Sequence, residues 1–340
     1  MVLNTKYMKT KVAINGFGRI GRQFLKAALA KKAKFEIVAI NDLTTPENLA
    51  YLLKYDTAYG HYETQVEFDE KNLIMKGKKI PVFAEKDPNL LPWAKLKVDM
   101  VLECTGRFTN KEGADMHLKA GAKKVIISAP AKGAGVPTYV RAVNCGKVGK
   151  EKSLVINNAS CTTNCIGPVM AVLHEKFGIA KALMSTIHGY TSDQNLQDGP
   201  HKDLRRARAA AENTVPTSTG AAKATTEVIP DLAGAFDGLA FRVPVAVSSL
   251  SDITVLLKKN VTKEEVNQAF VEAAKTDRFA GVLTTTSEPL VSSDFKGNTH
   301  SAVVDLNLTN VVGDNLVKVV AWYDNEWGYS CRMIDVLKLM

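Results

Sequence analysis

Between Lys11 and Asp42 the residues follow an order that few folds can accommodate. "KVAING" is a short apolar run closed by glycine, and Gly16, Gly18 and Gly21 then stand at the spacing G-x-G-x-x-G. "RIGRQFLKAALAKK" carries Ile20, Phe24, Leu25 and Ala28 at helical spacing, and "FEIVAIND" is a second apolar run ending on Asp42. Farther on, "VDMVLECTG" and "KKVIISAP" read as strands, and between them "NKEGADMHLKAG" reads as a helix ended by Gly121. Strands alternating with helices predict an α/β first half, a parallel sheet covered on both faces.

Each glycine has a physical task in that order. The spacing suits a tight turn, a close backbone approach to a pyrophosphate, and a helix packed tightly on its strand. The helix N-terminus offers N–H groups and the positive end of its dipole to an anion. Asp42, 21 residues beyond Gly21, stands where a carboxylate accepts hydrogen bonds from a ribose and repels a 2′-phosphate, so NAD is favoured over NADP. The competing reading is a glycine-rich turn without ligand.

After Cys161 the pattern changes. "IGPVMAVLHEKFG" sets Ile166, Val169, Met170, Leu173 and Phe177 on one helical face. Longer alternating stretches follow: "LMSTIHGYT", "AFRVPVAVSSLSDITVLLKK", "AVVDLNLTNVV" and "LVKVVAWYD". They suit an antiparallel or mixed sheet with one covered face. The closing "GYSCRMIDVLKLM" is helical again, with Met333, Val336, Leu337 and Met340 in phase. Two domains are expected, meeting near Asn158.

A length of 340 residues accommodates two such domains, and 46% hydrophobic with 23% charged residues is the composition of a soluble globular chain. No apolar run is long enough to span a membrane, and the opening residues lack a secretory pattern, so cytoplasmic residence is expected. Five cysteines do not make a disulfide framework in a chain of this length. The net charge of +9 is spread over short runs such as "KKAK", "KGKK" and "RRAR", which fits a solvated basic surface better than a nucleic-acid stripe.

"NASCTTNC" is the segment with chemistry in it. Cys161 falls where the strand "SLVINN" meets a helix, so helix N–H groups and dipole are expected to lower its pKa. Cys165 is about one turn deeper. Cys104, Cys145 and Cys331 lie in or beside apolar segments and read as packing, and a packed thiol is also the bland reading of Cys161. No second ligand pair stands at a zinc spacing, so no metal is expected. A reactive thiol needs a base. His188 closes the strand "ALMSTI" at the turn "HGYTSDQ" and is a candidate, a packed histidine being the alternative. His174 reads as a surface or packing residue of a helix, and His61, His117, His201 and His300 have no supporting context.

The motifs "INGFGRIGR", "ASCTTNC", "PTSTGAAKA", "FRVP" and "WYDNEWGYS", in this order and spread nearly end to end, resemble the phosphorylating glyceraldehyde-3-phosphate dehydrogenases. The resemblance implies an N-terminal Rossmann domain binding NAD (9–159), completed by the C-terminal helix (about 326–340), a catalytic α+β domain (160–325) with a mostly antiparallel sheet, and a homotetramer. It implies oxidation of glyceraldehyde 3-phosphate with inorganic phosphate to 1,3-bisphosphoglycerate. Cys161 then forms a thiohemiacetal and a thioester, and His188 is the base.

The other roles come from the same resemblance. Thr191 and Arg242 match the site for the substrate's phosphate. Ser160, Thr219 and Gly220, with Thr162 beside them, match the site for the attacking phosphate, and Arg206 matches an arginine serving both. From pattern alone Arg206 reads as a solvated helix charge. Gly16, Gly18, Arg19, Ile20 and Gly21 match the pyrophosphate loop and Asp42 the ribose acid. Lys86 stands where the family usually has arginine at the adenine end. Thr105 and Ser128 match contacts near the cofactor, Asn325 the residue holding the nicotinamide carboxamide, and Tyr329 a neighbour of it.

Readings of other classes are weaker. A cysteine hydrolase using Cys161 and His188 has no need of the glycine loop and Asp42. An RNA- or polyanion-binding protein lacks an aromatic platform or a recognised module, so nucleic acid is not an expected partner. A sister enzyme acting on erythrose 4-phosphate typically lacks the "TGAAKA" wording found here.

Overall fold

A computed structural model of the chain describes residues 9–148 and 153–340. The opening residues 1–8, read above for a leader, lie outside this range, as do 149–152 of the expected first domain. Of the described residues, 9–137 and 153–157 form one compact unit, and 138–148 and 158–340 a second.

The first unit begins with β1 (Thr10–Asn15), α1 (Arg19–Ala30), β2 (Phe35–Asn41) and α2 (Pro46–Lys54). The two-residue strands β3 (Tyr55–Asp56) and β4 (Gly60–His61) pair only with each other. Then follow β5 (Val66–Phe68), β6 (Asn72–Met75), β7 (Lys78–Phe83), the single turn α3 (Trp93–Leu96), β8 (Met100–Glu103), α4 (Lys111–Lys119), β9 (Lys124–Ile127) and β10 (Val155–Asn157). The eight-stranded sheet has the order β10-β9-β8-β1-β2-β7-β6-β5. From β10 to β7 all neighbours are parallel, and β6 and β5 add an antiparallel edge. The chain therefore builds outward from β1 on one side and returns to β8 on the other, which leaves a switch point between β1 and β8. Both faces are covered, so β8 ("MVLE") is buried throughout and cannot alternate. The β5–β7 edge was not singled out in the sequence. Its visible signal is Lys76-Gly77, both at positive φ (48° and 72°), which turns β6 into β7.

The second unit contains α5 (Cys161–Phe177), β11 (Ile179–Gly189), β12 (Val215–Ser218), α6 (Ala221–Val228), β13 (Phe236–Val243), β14 (Ser249–Leu257) and α7 (Lys263–Ala274). It continues with β15 (Leu283–Thr286), β16 (Ala302–Asp305), β17 (Asn310–Val312), β18 (Leu316–Tyr323) and α8 (Trp327–Leu339). Its sheet runs β12-β13-β11-β14-β18-β16-β15, with β17 pairing to β18. Only β11/β13 and β15/β16 are parallel, so the sheet is mixed and mostly antiparallel. One face is covered: Met184, Ile253, Val255, Val319 and Ala321 pack with Val169, Met170 and Leu173 of α5 and Phe270 of α7.

Two stretches divide more finely than their alternation suggested. "AFRVPVAVSSLSDITVLLKK" is two strands, β13 and β14, because Pro244 cannot donate to a ladder and Ser248 takes φ 80°. "AVVDLNLTNVV" breaks at a turn between β16 and β17. Helix α8, expected to complete the first domain, falls within the second compact unit. There Tyr329 Oη donates to the Ala159 carbonyl (3.0 Å) and Asn158 Nδ2 lies 3.3 Å from the Met333 sulfur.

Candidate active site

The last strand of the first unit, β10, ends at Asn157, and the first helix of the second, α5, begins at Cys161. The link is tight: Ala159 sits at φ 52°, a conformation a side chain resists, and its carbonyl is held by Tyr329. Ser160 caps α5, its Oγ accepting from Thr163 N at 3.0 Å. Cys161 is thereby placed at the first turn of a 17-residue helix.

His188 comes from the end of β11. Its Nδ1 lies 2.7 Å from the Gly189 carbonyl, which fixes the hydrogen on Nδ1 and leaves the Nε2 lone pair directed at Cys161 Sγ, 3.4 Å away. The ring packs edge-on against Tyr323, centroid to centroid 6.0 Å. Burial and then the Arg242 charge lower the imidazole pKa to about 3. His188 is therefore a neutral base.

The thiol differs from the sequence expectation. Burial pushes the Cys161 pKa up and outweighs the groups that lower it, namely Arg242, the Thr162 hydroxyl, and the N–H groups of Thr162 and Cys161 itself. The helix N-terminus favours the thiolate as expected, but it does not win over desolvation. Cys104 and Cys145 are pushed up to about 12 by burial, and Cys165 is also raised. None of the five cysteines forms a disulfide.

From His188 a continuous polar chain leads away. The Gly189 carbonyl that meets His188 Nδ1 also accepts from Arg242 NH1 at 3.3 Å, and Arg242 NH1 donates to Thr191 Oγ1 at 2.9 Å. Thr191 Oγ1 donates to Asp193, and Arg206 NH1 donates to the same carboxylate at 2.6 Å. Arg206 also donates from Nε to Thr217 Oγ1 (2.8 Å) and from NH2 to the Ser218 carbonyl (3.2 Å), next to Thr219 and Gly220. Gly220 is the N-cap of α6, and Thr219 Oγ1 accepts from Ala221 N. Arg206 lies in a turn and not on a helix. Arg242 Nε is buried and bonded to nothing, a donor in want of an acceptor.

Two expected residues face elsewhere. The Thr162 hydroxyl turns inward to Tyr323 Oη (2.9 Å), which also meets Thr186 Oγ1 (2.9 Å). Tyr329 holds the turn before the thiol. Asn325 Oδ1 accepts from Ser248 N (2.9 Å) and Ser249 Oγ (3.1 Å), which fixes its Nδ2 as the donor side of the amide. Asp193 and Tyr323 were not named from the sequence. "TSDQ" carries no signal for the first, and the second lies inside a motif whose inward partners sequence does not reveal.

In the first unit the expected cofactor residues share one edge. Gly16 follows β1, Asp42 follows β2, Lys86 lies beyond β7, Thr105 beyond β8 and Ser128 beyond β9, all at the carboxyl ends of parallel strands. Gly16 has φ 90°, and a Cβ there would lie 2.7 Å from Thr105 N; a Cβ on Gly21 would lie 2.3 Å from the Gly16 carbonyl oxygen. Gly18 is exposed, with open space where its Cβ would be. The loop thus presents bare backbone and the first turn of α1, including Arg19 and Ile20, to an anion. Asp42 Oδ2 accepts from Phe17 N at 2.7 Å and is held beside that loop. The Arg19 side chain is committed to Asp56 at 2.9 Å, so its backbone is the part suited to a pyrophosphate. Lys86 is exposed, next to Glu85, whose N–H is bonded to Asn41 Oδ1 (2.9 Å). These residues fit a dinucleotide without a 2′-phosphate. Among the described residues there is no cluster of three or more His, Cys, Asp or Glu that could hold a metal, and no helix long and apolar enough to cross a membrane.

Comparison with known proteins agrees with both units. Residues 10–111 match the glyceraldehyde 3-phosphate dehydrogenase NAD binding domain and residues 160–325 the C-terminal domain of the same enzyme. The chain is 53% identical over 331 residues to glyceraldehyde-3-phosphate dehydrogenase 2 of Bacillus subtilis, covering 97% of this chain and 96% of that one. It is 52% identical over 329 residues to glyceraldehyde-3-phosphate dehydrogenase of Geobacillus stearothermophilus, covering 97% of each. With the chloroplastic GAPB of Arabidopsis thaliana it shares 50% over 335 residues, covering 98% of this chain and 75% of that one. Matched in both domains and along nearly its whole length, the chain belongs to the glyceraldehyde 3-phosphate dehydrogenase family.

Proposed function

We propose that this chain oxidises glyceraldehyde 3-phosphate with NAD and inorganic phosphate to 1,3-bisphosphoglycerate, and that residues 9–159 serve as the NAD-binding domain and 160–325 as the catalytic domain. The observation that carries the reading is the chain from Cys161 through His188, the Gly189 carbonyl, Arg242, Thr191 and Asp193 to Arg206, which joins a nucleophile, a neutral base and cations for phosphate.

Cys161 Sγ passes its proton to His188 Nε2 as it adds to the aldehyde carbon, and His188 returns that proton to the carbonyl oxygen to give the thiohemiacetal, leaving Nε2 again unprotonated. The N–H of Cys161 is placed to stabilise the developing oxyanion. The Gly16–Gly21 loop and Asp42 would hold NAD, which would supply the hydride acceptor; in the second unit the Asn325 amide is a donor suited to a carboxamide oxygen. His188 Nε2 takes the hydroxyl proton as the carbon is oxidised, leaving a thioester on Cys161. A phosphate oxygen then attacks the thioester carbon, the C–S bond breaks, and the departing sulfur takes the proton held on His188 Nε2, so the acyl phosphate leaves with Cys161 and His188 restored. Arg242 and Thr191 bind the substrate's phosphate. Ser160, the N-cap of α5, and Thr219 and Gly220, at the N-terminus of α6, receive the attacking one, with Arg206 serving both sites.

The outer face of the second sheet exposes Leu183, Leu239, Leu256 and Leu316. An apolar sheet face of this kind supports a homo-oligomer, and we assign a tetramer in the cytoplasm. The test is NADH formation from glyceraldehyde 3-phosphate with and without inorganic phosphate, with erythrose 4-phosphate as the rival substrate. Phosphate-dependent turnover of glyceraldehyde 3-phosphate is expected. Turnover without phosphate, or preference for erythrose 4-phosphate, removes the assignment.

A further inference from the structure

Behind the switch point lies a buried polar cluster that the mechanism above does not use. Trp93 and His117 are 0% exposed, and Glu103 and Asn15 are 1% exposed. Trp93 Nε1 lies 3.1 Å from His117 Nδ1. An indole N–H only donates, so Nδ1 is the acceptor and the ring hydrogen is on Nε2. His117 Nε2 lies 3.1 Å from Glu103 Oε2 and donates to it. Asn15 Nδ2 donates to the same oxygen, while Asn15 Oδ1 accepts from Asn41 Nδ2 at 2.7 Å. The second carboxylate oxygen, Oε1, accepts from Thr105 N at 2.7 Å and from the Thr105 hydroxyl.

Every donor in this cluster leads to Glu103, from Trp93 through His117, from Asn41 through Asn15 and from Thr105, so Glu103 gathers the ends of β1 and β8. That matters at one place. The position of a Gly16 Cβ is 2.7 Å from Thr105 N and 2.8 Å from the Cys104 carbonyl carbon, so Thr105 forms the wall against which the glycine turn rests. The separation of turn and wall is set by what holds Thr105, and that is Glu103.

We propose that Glu103 is a positioning residue for the dinucleotide, fixing Thr105 against the Gly16 turn through a one-way hydrogen-bond chain whose direction Trp93 dictates. This rests on the NAD reading above and extends it to residues away from the expected contacts. A carboxylate is required because only an acceptor at both oxygens satisfies Asn15, His117 and Thr105 together. An amide in its place sets a donor against donors on one side or the other. His117 cannot relieve this by moving its hydrogen to Nδ1, since Nδ1 would then oppose the indole N–H.

The experiment has two parts. Nitrogen-15 NMR of ligand-free wild-type protein near neutral pH reads the His117 tautomer. Nε2–H is expected, and Nδ1–H overturns the proposal whether or not the enzyme turns over. Dissociation constants for NAD and separate KM values are then measured for Glu103→Gln, Trp93→Phe and the double variant. Glu103→Gln is expected to weaken NAD by about tenfold to a hundredfold with the KM for glyceraldehyde 3-phosphate and for phosphate unchanged. The double variant is expected to lose no more than Glu103→Gln alone, because both changes break one chain. NAD affinity within about twofold of wild type, equal changes in all three KM values, or additive losses overturns the inference. If Glu103→Gln does not fold, Thr105→Val removes only the hydroxyl donor. Several-fold weaker NAD binding is expected, and wild-type affinity overturns the inference. Failure of wild-type protein to bind NAD counts against the proposed function and not against the cluster's geometry.

Discussion

His188 Nε2 lies 3.4 Å from Cys161 Sγ although the two residues belong to different elements, one at the end of β11 and the other at the start of α5. Cys161→Ser should abolish NADH formation while NAD still binds, since the serine hydroxyl is a far weaker nucleophile at the same place. Retained turnover in a steady-state assay rules out the covalent route.

Replacing the base has a separable effect. His188→Asn should slow the redox step by roughly the 10²–10⁴ expected of a general base. A single-turnover measurement of NADH formation resolves this step from phosphorolysis, and an unchanged rate takes His188 out of the chemistry.

The same histidine contributes a pH term to stability. Burial, and after it Arg242, depresses its folded pKa to about 3 from the ordinary 6.5. Between these values the unfolded chain binds the proton and the folded chain does not. The contribution is therefore fully present above pH 6.5 and is lost as pH falls towards about 3. His188→Gln should show a flatter fall of Tm on acidification from about pH 7 to about pH 5. Parallel curves for variant and wild type contradict a buried neutral imidazole.

Asp193 bonds both Thr191 and Arg206, two of the residues proposed to bind phosphate. Against the cost of burial, the Thr191 hydroxyl and the charges of Arg242 and Arg206 hold its carboxyl below the usual range. Asp193→Asn should raise the KM for the phosphorylated substrate roughly tenfold, the size of one lost charge-assisted hydrogen bond, with little change in NAD affinity. An unaltered KM assigns Asp193 to the surface of the loop only.

Gly16 and Gly18 should part company under substitution. Gly16→Ala is strained twice, by φ 90° and by a Cβ 2.7 Å from Thr105 N, and should lower Tm and NAD affinity together. Gly18→Ala meets open space within the protein, so it should fold with wild-type Tm yet bind NAD about tenfold or more weakly, its methyl standing where the pyrophosphate approaches. Wild-type NAD affinity in Gly18→Ala places the cofactor elsewhere.

The parts legible in the sequence were those encoded by short spacings. Gly16, Gly18 and Gly21, the helix after them and Asp42 are neighbours in sequence and in space, so pattern and structure coincide. The Cys161–His188 pairing was only half legible. Each residue announced a strand end or a helix start, but their meeting depends on how β11 lies within its sheet. The Thr191–Asp193–Arg206 relay was illegible without the family resemblance, because its partners sit on irregular backbone with no periodicity to read. His117 had no local context because its partners, Trp93 and Glu103, come from two other segments. The capping box of α7, Thr262 with Glu265, is by contrast wholly local and stands in the four residues "TKEE".

The bond from Tyr329 to the Ala159 carbonyl spans 170 positions of the chain, and it clasps the strained turn in front of the nucleophile. This imposes an order in time. Ribosomal synthesis delivers Cys161 long before Tyr329, so a growing chain carries the thiol without the clasp that sets its geometry. The catalytic centre is completed only with the final helix, and chains interrupted before Trp327 are born unarmed. Their Cys161 should react with iodoacetamide like an ordinary cysteine, and a rate equal to that of the finished enzyme contradicts this order of assembly.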